Sequence, residues 1–284
     1  MKTGITGATG QLGRLVVEKL KERGISSDSL VALVRTPAKA VDLKIEARAF
    51  DYAKPEILVE SLKGIDHLLL ISSSEIGQRI TQHTNVIEAA KKANVKWIVY
   101  TSLLHADTSS LDLAAEHLAT EKALKASGIA YTILRNGWYT ENYTGSVAGA
   151  VAGGAFIGSA DDGKISSATR ADLAEAAAVV LAGPVQDGKV YELGGDETYT
   201  LADLAAEISR QTGKTIPYNN LSETEYANAL KGFGLPEGLA QAIAGWDIGA
   251  SKNDLFDDGK ELSKLIGRQT TPLSEAVKEA LKQL

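Results

Sequence analysis

Three glycines near the start of the chain, Gly7, Gly10 and Gly13, have the spacing G-x-x-G-x-x-G between a short apolar run and an amphipathic stretch. A strand–loop–helix unit of this kind presents free backbone N–H groups and a positive helix end to a pyrophosphate. Gly7 would make the tight turn, Gly10 would leave room for phosphate, and Gly13 would let helix and strand pack closely. The pattern predicts a dinucleotide site, with a purely structural glycine turn as the alternative.

The end of the second predicted strand indicates which dinucleotide binds. NAD-binding sites usually carry an acid there, which accepts a hydrogen bond from the ribose 2′-hydroxyl. Here the strand ends Leu33-Val34-Arg35, and the planar donor fork of an arginine suits a 2′-phosphate. We therefore predict NADPH as the cofactor, with Arg35 on its 2′-phosphate. A solvated basic rim is the alternative interpretation of Arg35.

The composition excludes several kinds of chemistry. The 284 residues include no cysteine, which excludes disulfides, thiolate metal sites and thiol catalysis. The four histidines have no metal-ligand spacing with acids, and no G-x-S-x-G elbow is present, so neither a metal site nor hydrolase chemistry is expected. The net charge of −6 argues against a nucleic-acid partner. With no signal-peptide pattern and no spanning apolar run, we expect a cytoplasmic protein without membrane insertion.

The first half of the chain alternates apolar runs with amphipathic stretches, which is typical of βαβ units and a parallel sheet. The predicted strands are Thr3–Thr6, Leu30–Val34, Glu46–Phe50, His67–Ser72, Trp97–Thr101 and Tyr131–Leu134. The predicted helices between them are Gln11–Arg23, Pro55–Leu62, Gln78–Ala93 and Ala114–Ala126.

After residue 136 the rhythm changes and the elements become shorter. The uncharged stretch 142–160 predicts a helix that runs into a glycine turn. The later predicted helices are Thr169–Leu181, Thr200–Thr212, Glu223–Gly232, Leu262–Ile266 and Ser274–Leu284, and the later predicted strands are Lys189–Leu193 and Lys214–Tyr218.

These elements predict an α/β fold, a Rossmann-like doubly wound parallel sheet with helices on both faces and a smaller C-terminal α/β lobe. We expect residues 1–136 to form the NAD(P)-binding core, with 165–195 returning to it. Residues 137–284 would form the smaller substrate-side lobe, interleaved with the core.

Several segments, spread nearly from end to end, resemble the NmrA-like group of atypical short-chain dehydrogenases and, within it, the bacterial NAD(P)H:quinone oxidoreductases. The segments are ITGATGQLG (5–13), LVRTPAK (33–39), LLLISSSEIGQR (68–79), YTSLLHADTS (100–109), TEKALKASGIAYTILRNGWYTENY (120–143), SATRADLA (167–174) and FDDGKELSKLIG (256–267). The resemblance implies an NADPH-dependent reductase without flavin or metal, which transfers hydride from the nicotinamide to a small-molecule quinone in the cleft between the lobes.

The resemblance also implies which residues contact the cofactor. The pyrophosphate would lie against Gly7, Ala8, Thr9, Gly10, Gln11 and Leu12, and the ribose beside Ile71, Ser72 and Ser73. The nicotinamide would lie beside Asn136, Gly137, Trp138, Tyr139, Thr140 and Glu141. Core packing is the alternative for the two aromatic side chains, and a capped loop is the alternative for Asn136.

The catalytic residues are less well indicated. Ordinary short-chain dehydrogenases use a serine with Tyr-x-x-x-Lys, but here Leu118 stands at the tyrosine position before Lys122. Lys122 is a candidate for catalysis or for the ribose hydroxyls, and a solvated helix residue otherwise. Hydride addition to a quinone gives a weakly basic hydroquinone anion, so positioning could supply most of the rate. Candidate donors to the quinone oxygens are Asn136, Tyr139 and His105, although a lone histidine there is more often structural.

Two other functions are compatible with the sequence. A related branch of the family reduces triphenylmethane dyes, and the same hydride geometry would serve dyes or other conjugated electrophiles. The other alternative is a redox sensor of the NmrA type, which binds NAD(P) and signals through a protein partner without turnover. The oligomeric state is left open, with a homodimer as one alternative.

Overall fold

The computed structural model describes residues 1–284, which form two compact units. The first unit comprises Met1–Asp107, Leu113–Asn136 and Arg170–Leu193, and the second comprises Thr108–Asp112, Gly137–Thr169 and Gly194–Leu284. The strands are β1 (Thr3–Thr6), β2 (Leu30–Val34), β3 (Glu46–Ala49), β4 (His67–Leu70), β5 (Trp97–Leu103), β6 (Ala130–Asn136), β7 (Phe156–Gly158), β8 (Lys189–Leu193) and β9 (Tyr218–Asn220).

Twelve α-helices accompany these strands. They are α1 (Gln11–Glu22), α2 (Pro55–Ser61), α3 (Arg79–Lys92), α4 (Leu113–Ser127), α5 (Thr140–Thr144), α6 (Val147–Gly153), α7 (Arg170–Ala182), α8 (Leu201–Thr212), α9 (Glu223–Gly232), α10 (Glu237–Ser251), α11 (Glu261–Ile266) and α12 (Leu273–Leu281).

The first unit is built on a seven-stranded parallel sheet with the strand order β3-β2-β1-β4-β5-β6-β8. Strand β1 pairs with β2 on one side and β4 on the other, so that Ile5 lies opposite both Ala32 and Leu69. The direction of winding reverses at this point, and ligands of open α/β sheets bind beyond the carboxyl ends of strands at such a reversal. The sheet confirms the predicted doubly wound fold.

Alternating strand residues build a separate apolar layer on each face of this sheet. One layer joins the strands to α2, α3 and α4, and its fully buried strand residues are Val31, Leu33, Leu68, Leu70, Ile98 and Tyr100. The intervening strand residues face the other layer, where α1 packs against α7. Helix α1 forms because Leu12, Val16, Val17 and Leu20 fall on one buried side of a 3.6-residue period.

The second unit is mainly helical, with a two-stranded parallel sheet in which β7 pairs with β9. Helices α8 and α9 each begin with a capping box, from Thr200 with Asp203 and from Ser222 with Glu225. Helix α12 packs on α5, α6 and α8.

Most predicted elements are confirmed, including the helix that ends in the left-handed turn at Gly154. One predicted element is wrong, and some elements of the structure were not predicted. The predicted strand Lys214–Tyr218 is wrong, because the strand there is β9, Tyr218–Asn220. Strand β7 and the fifteen-residue helix α10 were not predicted. No helix has the length and apolar character needed to cross a membrane, and no cluster of three or more acidic or histidine side chains is arranged to hold a metal.

Candidate functional site

The glycine loop joins β1 to α1 with a geometry that requires glycine. Gly7 has a φ of +58°, and a Cβ on Gly13 would lie 2.4 Å from the Gly7 carbonyl oxygen. The Gly10 N–H donates to that same carbonyl at 2.8 Å and closes the turn. Helix α1 then begins with no side-chain cap and no acid in its first turn. Its first N–H groups and positive dipole end are therefore available to an anion.

The other residues of this loop that are predicted to contact the cofactor differ in whether their side chains are exposed. The side chains of Ala8 and Leu12 are buried, so a contact from either must come from its backbone, whereas Gln11 is exposed. The Thr9 carbonyl accepts a hydrogen bond from Arg14 Nε at 3.2 Å. The contact of Arg14 with the glycine loop was not predicted, although an arginine in the first helical turn after such a loop is visible in the sequence.

The loop after β4 is fixed by three consecutive backbone N–H groups. The N–H of residue 71 donates to Thr6 Oγ1, that of residue 72 to Thr101 Oγ1, and that of residue 73 to His83 Nε2. Each of these hydrogen bonds is 2.9 Å long. The Thr6 bond ties this loop to the end of β1, next to Gly7. These N–H groups are occupied within the protein, so contacts from 71–73 to a ligand must come from carbonyls or side chains.

His83 is a neutral histidine that anchors this loop. Because its Nε2 accepts from a backbone N–H, the proton lies on Nδ1, which is 2.9 Å from Thr120 Oγ1. The Thr120 hydroxyl in turn donates to the Glu116 carbonyl. Burial, together with the nearby Arg79 cation, lowers the pKa of His83 to about 3. His83 was also missed in the sequence, because nothing in α3 marks it as an acceptor for a loop ten residues earlier.

Arg35 follows the last residue of β2, as predicted, and its side chain is 71% exposed. Its Nη1 donates to Glu75 Oε1 at 3.2 Å. A guanidinium at this strand end and an uncapped helix start are donors suited to a 2′-phosphate and a pyrophosphate, so the residues present fit NADPH.

A buried ion cluster lies at the carboxyl end of β6 and centres on Arg135. Its Nε and Nη2 donate to the two oxygens of Glu121, each at 2.9 Å, and its Nη1 reaches Glu192 at 2.7 Å and Asp107 at 2.9 Å. Ser102 also donates to Glu121. These hydrogen bonds, that of Glu121 above all, raise the pKa of Arg135 despite its burial. The cluster ties together the ends of β5, β6 and β8 and a buried position of α4.

Two predicted site residues lie beside this cluster. Asn136 is the last residue of β6, only 5% exposed, and its Oδ1 has no hydrogen-bond partner. The half-buried His105 has a φ of +50°, and its backbone N–H donates to Glu192 Oε2 at 2.9 Å. The Leu104 N–H donates to the Asn136 carbonyl. The structure therefore brings Asn136 and the His105 loop together.

Lys122 lies elsewhere, on the exposed side of α4. The buried side of that helix carries His117 and Glu121 instead. Each of them lies one residue before a position of the Tyr-x-x-x-Lys pattern, which falls on Leu118 and Lys122. This placement favours a solvated helix residue among the interpretations of Lys122.

Residues 137–141 belong to the second unit, where Trp138 and Tyr139 are half-buried. Trp138 packs edge-on against Trp246, with ring centroids 5.5 Å apart, and the Trp246 indole donates to Asp112 at 2.9 Å. Thr140 is buried against Ser167, with their hydroxyl oxygens 2.8 Å apart. Packing within the unit thus accounts for part of the segment, and its predicted role beside the nicotinamide stays a prediction.

The second unit also buries an acid that sequence reasoning missed. Asp247, on α10, is 3% exposed and accepts from the Ser159 N–H at 2.9 Å and from the Tyr143 hydroxyl at 3.3 Å. Burial raises its pKa to about 6. A cavity of about 420 Å³ lies against the same helix, beside Trp246. Its volume falls in the range of small-molecule sites.

Comparison with known proteins shows which family the chain belongs to. Residues 7–184 match the family of NAD(P)H-binding proteins. Quinone oxidoreductase 2 of Escherichia coli (strain K12) is 58% identical over 276 residues, which is 96% of either chain. The crystal structure of the NADPH-dependent quinone oxidoreductase from E. coli in complex with NADPH superposes with a TM-score of 0.95, covering 98% of this chain and 99% of that one.

Two more distant relatives widen the comparison. The triphenylmethane reductase of Citrobacter sp., complexed with NADP(H), has a TM-score of 0.94 at 38% identity, covering 98% of this chain and all of its own. An NmrA-like family domain-containing oxidoreductase of Aspergillus flavus is 29% identical over 98% of this chain and 94% of its own length. The chain therefore belongs to the NAD(P)H-binding, NmrA-like family.

Proposed function

We propose that the chain is an NADPH-dependent quinone reductase. The observation that carries the proposal is the pair of phosphate-binding features at one edge of the sheet, the uncapped start of α1 and Arg35 at the end of β2. The end-to-end similarity to a quinone oxidoreductase supports the choice of quinone as the substrate.

In this proposal the first unit binds the cofactor. The N–H groups that follow Gly10 hold the pyrophosphate, and the Arg35 guanidinium holds the 2′-phosphate with charge-assisted hydrogen bonds. The His83 and Thr6 anchors keep residues 71–73 in a fixed shape beside the ribose. Since residues 71–73 are held before the ligand arrives, ordering this loop adds little cost on binding.

The nicotinamide, when bound, supplies a hydride to the quinone ring. Hydride and one proton convert the quinone to a hydroquinone, and the protein has only to orient the ring and receive a weakly basic oxygen anion. Asn136 Oδ1 is buried without a partner, so a ligand N–H at the end of β6 would satisfy it. His105 and Tyr139 are the further candidate donors, and water supplies the proton if neither does.

The proposal includes a cytoplasmic location, a single small-molecule substrate, and neither flavin nor metal as resident cofactors. Steady-state oxidation of NADPH in the presence of benzoquinone and naphthoquinone tests the central part. We expect saturable consumption of NADPH that depends on the quinone. Tight binding of NADPH with no turnover of any quinone would overturn the proposal in favour of a redox sensor.

Reduction of triphenylmethane dyes is the second candidate, favoured by the match to triphenylmethane reductase. Running crystal violet and naphthoquinone side by side separates the two. A quinone reductase should have the higher kcat/KM for naphthoquinone, and a dye reductase should show the reverse order.

A further inference from the structure

An acid reaches Arg35 from a distant part of the chain. Glu75, in the loop between β4 and α3, places Oε1 3.2 Å from Arg35 Nη1, although the two residues are 40 positions apart. The strand end itself carries no acid, which is why the sequence points to NADPH alone.

Contacts other than Arg35 hold the Glu75 carboxylate in place. Its Oε2 accepts from Gln82 Nε2 at 2.7 Å, and the Gln82 side chain is 6% exposed. The Glu75 backbone N–H donates to Ser73 Oγ at 3.1 Å. The Ser73 N–H is in turn bound by His83. The carboxylate is therefore part of the anchored loop, and Arg35, at 71% exposure against 49% for Glu75, is the more exposed partner of the pair.

We propose that Glu75 sets the selectivity between NADPH and NADH at Arg35. This inference rests on the proposed function, in which Arg35 binds the 2′-phosphate. A group that contacts Arg35 Nη1 at this point also comes close to Glu75 Oε1, since the two atoms are in hydrogen-bond contact.

The two cofactors meet this pair differently. A 2′-phosphate carries negative charge, so it competes with Glu75 for the guanidinium and is repelled by the carboxylate. The 2′-hydroxyl of NADH is a donor, and a carboxylate at this place can accept from it as the strand-end acid does in NAD sites. Glu75 thus weakens NADPH binding and strengthens NADH binding. Both side chains are largely exposed, so solvent screens the effect and keeps it small.

The test is the variant Glu75→Gln, which keeps an acceptor for Gln82 and removes the charge. We expect Kd for NADPH to fall by about two- to fivefold and Kd for NADH to rise by a similar factor, as measured by fluorescence titration. The NADPH effect should shrink as salt is raised. Glu60→Gln is the matched control, because Glu60 is an exposed acid on α2, ion-paired to Lys63, and its loss changes the net charge equally. It should leave both constants unchanged.

Titration of Arg35→Ala separates failure of this inference from failure of the proposed function. If that variant loses no NADPH selectivity, the assignment of Arg35 to the 2′-phosphate is wrong. If Arg35→Ala loses selectivity but Glu75→Gln leaves both constants unchanged, or weakens NADPH binding, the inference about Glu75 alone is overturned.

Discussion

Replacing His83 with glutamine should make the folded protein less sensitive to acid. The folded state holds His83 neutral, with a pKa of about 3 against an ordinary value of 6.5. Below pH 6.5 the unfolded chain takes up a proton that the folded state excludes, so stability is lost as the pH falls from 6.5 towards 3 and is constant above 6.5. At 1.36 kcal/mol per pH unit, His83 alone lowers the free energy of unfolding by about 2 kcal/mol at pH 5.

Urea unfolding at several pH values between 4 and 7 measures how much His83 contributes to the pH dependence of the free energy of unfolding. In His83→Gln the slope of unfolding free energy against pH should fall by about 1.4 kcal/mol per unit below pH 6, while contributions from the carboxylates cancel in the difference. Glutamine keeps an acceptor for the Ser73 N–H. His117→Gln is a second variant, because burial, together with the nearby Arg79 and His83, lowers the pKa of His117 to about 3 as well. A slope unchanged in both variants would show that these histidines are protonated in the folded state, contrary to the hydrogen-bond pattern.

Two further substitutions separate function from stability. Asn136→Ala should lower quinone turnover by about tenfold or more, which corresponds to about 1.4 kcal/mol. It should not lower the free energy of unfolding, since the buried Oδ1 has no partner to lose. Lost stability with unchanged turnover would show that Asn136 is structural. Burial raises the pKa of the Asp247 carboxyl to about 6, so its ionisation lowers the free energy of unfolding as the pH rises from 4 to 6. Asp247→Asn removes this loss, and should stabilise the protein by up to about 3 kcal/mol at pH 7 and by nothing below pH 4. Unfolding curves of this variant that differ from wild type equally at pH 4 and pH 7 would contradict that explanation.

Local patterns predicted most of the first unit because they also determine its structure. The apolar runs of β1, β2, β4 and β5 are buried on both faces, and the glycine loop needs its glycines for steric reasons visible in their spacing. Strand β6 continues two residues beyond its apolar run, to Asn136, because Arg135 pairs with the buried acid Glu121. That pairing depends on tertiary contacts which no local window contains.

The second unit was predicted less well for a related reason. Helix α10 contains three glycines, which lower its intrinsic helix propensity. Gly249 is there because its neighbour Leu111 leaves no room for a Cβ, which would lie 2.4 Å from the Leu111 side chain. Strand β9 is three residues long and exists through its pairing with β7, far away in sequence.

The candidate site shows the same division. The position of Arg35 directly after β2 was predicted correctly, because a strand end is a local feature, while its contact with a 2′-phosphate stays a prediction. Its partner Glu75 and the anchor His83 reach the site through folding, and neither has a sequence signal of its own. The predicted roles of Tyr139, His105 and Lys122 stay predictions.

The measurement that tests the central claim most directly is kcat/KM for NADPH and for NADH at saturating naphthoquinone, in the wild type and in Arg35→Ala. The account predicts quinone-dependent turnover by the wild type. It also predicts that the variant loses tenfold or more of its kcat/KM with NADPH, since a charge-assisted hydrogen bond contributes about 1.5–3 kcal/mol, while kcat/KM with NADH changes by less than about twofold. Absence of quinone turnover, or an equal loss with both cofactors, would contradict it.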